Sequence, residues 1–195
     1  LAVPVLLLLA WRLTGGSTEH WLNMLLLGWV ITGVVPVALT GVRDPLLSAR
    51  WRALPVGAGD RYLNVYGALF PVSLVTAELL VLGGLAIGPA AERNPLVFTA
   101  GAIVSAVMVA LGLAVASWSR NHVQLAGALG LVLAICVIGI LPGTGPLVGA
   151  VVPTAIARAA MTAIGHPDRL AVAFVKLLLE GLIFVLIGLA GFSRR

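Results

Sequence analysis

Five long apolar runs, each about the length of a bilayer crossing, constrain this chain more than any other feature. A helix needs about 20 residues to cross the hydrocarbon core, and the runs lie at about 21–40, 66–88, 96–116, 123–141 and 170–192. Only 10% of the 195 residues are charged, whereas soluble domains carry about 25%. The sequence therefore predicts an all-α integral membrane protein, a helical bundle without a separate soluble domain.

A shorter apolar run opens the chain. It covers Leu1 to Leu13, which is too short to cross a bilayer, and it has neither the basic start nor the cleavage site of a signal peptide. We expect it to be the end of a first span that begins upstream. The prediction is then a six-span bundle in which residues 1–195 form a single transmembrane domain.

The most cationic stretch, 43–62, separates two of the apolar runs. It holds Arg43, Arg50, Arg52 and Arg61, which the hydrocarbon core would not accept together. We expect this segment to lie in water or at the membrane surface, as a loop with a short interfacial helix that docks a partner protein.

The arginines also predict orientation. Short cytoplasmic loops are enriched in Lys and Arg. The loops on the 43–62 side hold seven arginines, including Arg120, Arg194 and Arg195, and those on the other side hold four. This bias predicts that the 43–62 segment and the C-terminus are cytoplasmic. Spread over separate loops, the charges form no continuous stripe for nucleic acid.

The segment 142–168 fits a simple spanning helix poorly. It is moderately apolar, but it contains Pro142, Gly143, Pro153 and Arg158. As one span it would bury Arg158 and break at Pro153. A re-entrant or interfacial element is favoured over a seventh span, because irregular backbone is tolerated where protein or water covers it.

Three ionisable residues fall inside predicted spans: Glu78, Lys176 and Glu180. Such residues are rare in membrane helices and usually face the bundle interior or a water-filled path. They are therefore candidates for a substrate path or a proton-coupled site. The alternative is a structural ion pair of Lys176 with Glu180, four residues away on the same helix face, or with Glu78.

No catalytic or metal site is recognisable. A P-loop for nucleotide phosphates is absent, and His20, His122 and His166 lie in turns predicted on both sides of the membrane. Cys136, in an apolar run, has no second cysteine to pair with. We expect this chain to be no enzyme and to bind no cofactor itself.

Three motifs resemble the membrane subunit of type-2 ATP-binding cassette exporters. The first is Arg50-Trp51-Arg52-Ala53-Leu54-Pro55-Val56 leading to Arg61-Tyr62-Leu63. The second is the Pro- and Gly-rich stretch from Leu141-Pro142-Gly143 to Val152-Pro153, and the third is the short turn 117–122 between spans four and five. The resemblance covers nearly the whole chain.

The resemblance implies a cytoplasmic coupling helix and an extracellular re-entrant element before the last span. It also implies two permease subunits, identical or homologous, with two ATPase subunits that carry ATP and Mg²⁺, and a dimer seam at spans one and five. The residues that would couple to the ATPase are Arg43, Arg50, Trp51, Arg52, Leu54, Pro55 and Arg61.

Two functions remain open on the sequence, with a membrane enzyme or passive scaffold as a third reading. The leading hypothesis is an exporter permease that moves an amphipathic or lipid-like substrate or drug across a bacterial cytoplasmic membrane. The alternative is a proton-coupled secondary transporter that uses Glu78, Lys176 and Glu180. That class often shows internal repeats and broken helices at the midplane, and no repeat is evident here.

Overall fold

The computed structural model describes residues 18–39, 56–87, 95–141, 143, 145–164 and 166–194. Within these ranges the regular structure is α-helical. The helices are α1 (Thr18–Leu39), α2 (Ala58–Ile87), α3 (Leu96–Trp118), α4 (His122–Ile140), α5 (Pro146–Val151), α6 (Pro153–Thr162) and α7 (Pro167–Ser193).

Five of the helices, α1 to α4 and α7, are long and apolar enough to cross a membrane. The prediction of an all-helical fold is therefore confirmed for the described residues, and the five apolar helices indicate a multi-pass membrane protein. The run 1–13 lies outside the described residues, so the six-span count stays a prediction. Helices α5 and α6 have 6 and 10 residues, and neither reaches the length of about 20 that a crossing needs.

The start of α2 corrects one predicted boundary. The sequence places 58–62 in the loop segment, whereas the structure begins α2 at Ala58, so Arg61 and Tyr62 belong to the helix. The Arg61 N–H donates to the Gly57 carbonyl at 3.1 Å. Asp60 lies in the first turn, where a negative charge stabilises the positive end of the helix dipole. Polar residues thus extend the helix beyond its apolar part.

Helix α3 is the centre of the bundle, since it packs against α1, α2, α4, α6 and α7. Its contact with α1 is closest at Gly33, where an added Cβ would lie less than 3.0 Å from Met108 Cβ. Its contact with α7 passes Gly181, which faces Val107. Small residues let membrane helices approach closely and gain van der Waals contact, so these glycines set the helix spacing.

The contacts define two ends of the bundle. At one end, the starts of α2 and α4 meet the ends of α3 and α7; we call this the arginine end, after Arg61, Arg120 and Arg194. At the other end, α6 joins the start of α1 to the end of α4 through Arg158; we call this the clasp end. Helices α5 and α6 lie between α4 and α7 in the chain.

Candidate functional site

The arginine end is held together by the last turn of α3 and the end of α7. Trp118 Nε1 donates to the Ile187 carbonyl at 3.0 Å, and Arg194 Cζ lies 4.3 Å from the centroid of the Trp118 ring. A guanidinium over an indole face is stabilised by the ring quadrupole. Three described arginines lie at this end of the bundle: Arg61, Arg120 and Arg194.

Tyrosines connect the start of α2 to α3 and α7. Tyr62 is buried and its ring meets Phe192 edge-on, with centroids 5.5 Å apart. Gly188 gives it room, because a Cβ there would come within 2.5 Å of the Tyr62 ring. The hydroxyl of Tyr66 donates to the Ala106 carbonyl at 3.2 Å. The start of α2 is therefore in direct contact with both neighbouring helices.

At the clasp end, Arg158 of α6 joins three helices. Its guanidinium donates to Asn23 Oδ1 at 2.7 Å, to Glu19 Oε1 at 2.9 Å and to the Ile140 carbonyl. The Arg158 side chain is 17% exposed and that of Glu19 is 59% exposed. The Arg158 side chain is thus largely buried, whereas that of its acidic partner Glu19 is exposed to solvent. This arrangement satisfies a charge that a plain spanning helix would leave unpaired.

Helix α6 is seated on α4 by small residues and one hydroxyl. Thr154 is fully buried and donates to the Cys136 carbonyl at 2.7 Å. Gly139 lies beneath it, and a Cβ there would come within 2.6 Å of Val152 Cγ1. Pro153 is the first residue of α6, which starts one residue after α5 ends. The helix therefore breaks before Pro153, as the sequence predicted, and the apolar residue Val152 alone separates the two short helices.

Of the pairs that the sequence left open, Lys176 lies within electrostatic range of Glu180, one turn away, without a direct ion pair between them. Lys176 is exposed on the outer side of α7. Among the described residues the ion pair found is Arg158 with Glu19, and none joins Lys176 to Glu180 or Glu78. Glu78 and Glu180 each have one carboxylate oxygen, Oε2, that is buried and has no hydrogen-bond partner in the described part of the chain.

Most of the predicted coupling residues lie outside the described residues: Arg43, Arg50, Trp51, Arg52, Leu54 and Pro55. Pro142 lies outside them too. Of the predicted site residues, Arg61 is placed at the arginine end, and Arg158 at the clasp end on the helix that Pro153 begins. Gly143 takes a left-handed conformation, with φ of 77°, which glycine adopts without strain.

Several contributors to these sites were not predicted from the sequence: Glu19, Asn23, Thr154 and the Trp118–Arg194 pair. Glu19 and Arg158 are separated by 139 residues, and no spacing rule links such positions. Arg158 itself carried the one usable signal, because a cation in an apolar segment requires partners. Among the described residues, no group of three or more His, Cys, Asp and Glu side chains is placed to hold a metal ion.

No protein-family model, no curated protein and no solved structure matches this chain. The likeness to the exporter family therefore depends on the sequence motifs quoted above. The structure contributes the helical membrane bundle and the contacts at its two ends.

Proposed function

We propose that this chain is the transmembrane permease subunit of an ATP-binding cassette exporter. It would move an amphipathic or lipid-like substrate, or a drug, outward across a bacterial cytoplasmic membrane. The observation that carries the proposal is the difference between the two ends of the bundle. Arg61, which ends the arginine-rich segment, lies at the same end as Arg120 and Arg194, and the short helices α5 and α6 lie at the opposite end.

In this proposal the arginine end faces the cytoplasm, with the C-terminus, and the 43–61 segment docks on a separate ATPase. That partner carries ATP and Mg²⁺, so this chain is no enzyme and needs no cofactor. Helices α5 and α6 are the extracellular re-entrant element. The remaining partners are a second permease subunit, identical or homologous, and membrane lipids, without nucleic acid.

The contacts at the start of α2 support a physical route for coupling. ATPase closure would push the 43–61 segment, which continues into α2. Tyr62 packs on Phe192 of α7 and Tyr66 bonds to Ala106 of α3, so all three helices would respond together. Switching between two packed arrangements of such a bundle is an established way to alternate access.

The test is affinity purification of the tagged chain from its native membrane in nanodiscs, with mass spectrometry of the proteins that accompany it. We expect an ATPase with a P-loop at equal stoichiometry. Replacing Arg50 and Arg52 together with alanine should reduce its recovery by about tenfold or more, because an anchoring arginine commonly contributes about 2 kcal/mol to an interface.

Arg169→Ala is the matched control, since Arg169 is exposed at the clasp end and should not affect ATPase recovery. A chain that carries no ATPase, yet transports substrate in proteoliposomes under a proton gradient alone, would refute the exporter proposal. Equal losses in Arg169→Ala and the double variant would refute docking through the 43–61 segment.

A second candidate function is a proton-coupled secondary transporter. The buried, unpartnered Oε2 atoms of Glu78 and Glu180 favour it, because a carboxyl group without a hydrogen-bond donor in a span is costly as a charge and gains from binding a proton. Lys176, exposed one turn before Glu180, would act on the Glu180 carboxylate through its charge. For this class, Glu78→Gln or Glu180→Gln should abolish gradient-driven uptake in proteoliposomes and leave folding intact. Unchanged uptake in both variants would exclude it.

A further inference from the structure

Trp118 is the last residue of α3 and its side chain is half exposed at the arginine end. Tryptophan is enriched at the boundary between hydrocarbon and water, where its ring lies at the level of the lipid headgroups. The Nε1 atom of Trp118 donates to the Ile187 carbonyl at 3.0 Å, which fixes the ring against α7. The indole therefore marks the depth at which lipid headgroups meet this end of the bundle.

Two exposed arginines lie near this ring. The Cζ atom of Arg194 is 4.3 Å from the ring centroid, and Arg120 follows Trp118 by two residues. The turn that carries Arg120 is fixed by hydrogen bonds. Its backbone N–H donates to Gln124 Oε1 at 2.8 Å, and the Gln124 N–H donates to Asn121 Oδ1 at 2.8 Å. The Arg194 guanidinium and the Arg120 backbone are thus ordered before any ligand binds, which lowers the entropic cost of binding.

The positive charge at this end is not compensated within the described ranges. The ion pair found there joins Arg158 to Glu19, at the clasp end, and Asp60 is the one acidic residue described at the arginine end. At the clasp end, two arginines are matched by two acids, since Asp168 precedes Arg169 in the first turn of α7. The arginine end is therefore the one that attracts an anion.

Beside the ring, α7 presents an apolar surface to the surroundings. Ile187, whose carbonyl accepts from Trp118, and Ile183, four residues earlier on the same helix face, are both exposed. Because α7 ends at the arginine end, Ile183 lies deeper in the hydrocarbon than Ile187. A phospholipid whose acyl chain follows these two side chains has its phosphate at the level of Trp118.

We propose that Trp118, Arg120 and Arg194 bind the headgroup of an anionic phospholipid such as phosphatidylglycerol. Arginine pairs with phosphate oxygens through two parallel hydrogen bonds, and basic clusters at the ends of membrane helices attract anionic lipids. Ile183 and Ile187 contact an acyl chain of the same lipid. This site is a property of the arginine end and does not depend on the exporter proposal.

The test is native mass spectrometry of the full chain released from nanodiscs of phosphatidylglycerol and phosphatidylcholine. We expect selective retention of phosphatidylglycerol. Arg120→Ala and Arg194→Ala should each weaken its binding by about fivefold, and the double variant by about twentyfold or more, because each basic residue near an anionic headgroup contributes about 1 kcal/mol. Arg194→Lys, which keeps the charge but not the paired hydrogen bonds, should retain part of the affinity.

Arg169→Ala is the matched control. It removes an exposed arginine from the same helix as Arg194, at the opposite end, and should leave retention of phosphatidylglycerol unchanged. Equal retention of the two lipids by the original chain would overturn the proposal. Losses in Arg169→Ala as large as those in Arg194→Ala would do so too, because they would show attraction to total charge without a site.

Two other occupants of the same arginines are distinguished by further measurements. An excess of soluble glycerol 3-phosphate should not displace the lipid, because the acyl chain also contributes to binding; complete displacement would show a site for free phosphate and overturn the lipid proposal. If the double variant lowers recovery of an ATPase and leaves phosphatidylglycerol retention unchanged, these arginines dock a protein and the lipid proposal is wrong. Selective retention without any ATPase would uphold the lipid site and count against the exporter proposal alone.

Discussion

Replacing Arg158 with alanine is expected to lower the free energy of unfolding by about 3 kcal/mol. The guanidinium donates to Asn23 and to the Ile140 carbonyl, and a hydrogen bond from a charged group contributes about 1.5–3 kcal/mol. Its removal leaves these acceptors without a donor. The ion pair with Glu19 adds little, because the Glu19 side chain is 59% exposed and exposed pairs contribute about 0–1 kcal/mol.

The loss can be measured by unfolding the protein in mixed micelles and following tryptophan fluorescence. Two variants frame the result. Glu19→Gln should cost at most about 1 kcal/mol, as expected for an exposed ion pair, and Arg169→Ala, at an exposed arginine of the same end, should change little. If Glu19→Gln lowers the free energy of unfolding as much as Arg158→Ala, the ion pair and not the uncharged acceptors holds the helices of the clasp end together.

Replacing Gly33 with alanine should destabilise the bundle by about 3 kcal/mol, the upper part of the usual range for overpacking. The new Cβ would lie less than 3.0 Å from Met108 Cβ, an atom fixed to the α3 backbone that no rotamer change can move. Helices α1 and α3 would have to separate. Without a hydrophobic force between helices in lipid, the lost van der Waals contact is not recovered.

Gly130→Ala is the matched control for Gly33→Ala. Both are glycines within spanning helices, but a Cβ at Gly130 meets nothing within 4 Å. Unfolding in the same micelles should therefore show Gly130→Ala unchanged or slightly stabilised, because alanine is the better helix former. A small cost for Gly33→Ala, close to that of Gly130→Ala, would mean that α1 and α3 are not in tight contact in the membrane.

The helical membrane class could be predicted from the sequence, because hydropathy and length decide it with little help from distant contacts. The start of α2 could not. Asp60, Arg61 and Asn64 make the first turns polar, and hydropathy then places the helix start too late. The break at Pro153 was predictable, since proline disfavours a helical residue before it.

The candidate site was predictable only where one residue was out of place in its surroundings. Arg158, Glu78 and Glu180 are conspicuous in apolar segments, and the sequence singled out all three. Their partners are set by packing between helices far apart in the chain. For this reason Asn23 and the Ile140 carbonyl were missed. Lys176, four residues before Glu180, lies within electrostatic range of it without a direct ion pair.

The Arg158 contacts at the clasp end also have a consequence for biogenesis. Glu19 and Arg158 stand 139 residues apart, so α1 to α4 are synthesised before the guanidinium that joins α1 to α4 exists. Until α6 is synthesised, Asn23 and the Ile140 carbonyl lack the hydrogen bonds that Arg158 donates to them. The contact is therefore among the last to form during membrane insertion. A nascent chain arrested before Arg158 would expose these unpaired acceptors at the clasp end to the quality-control machinery of its membrane.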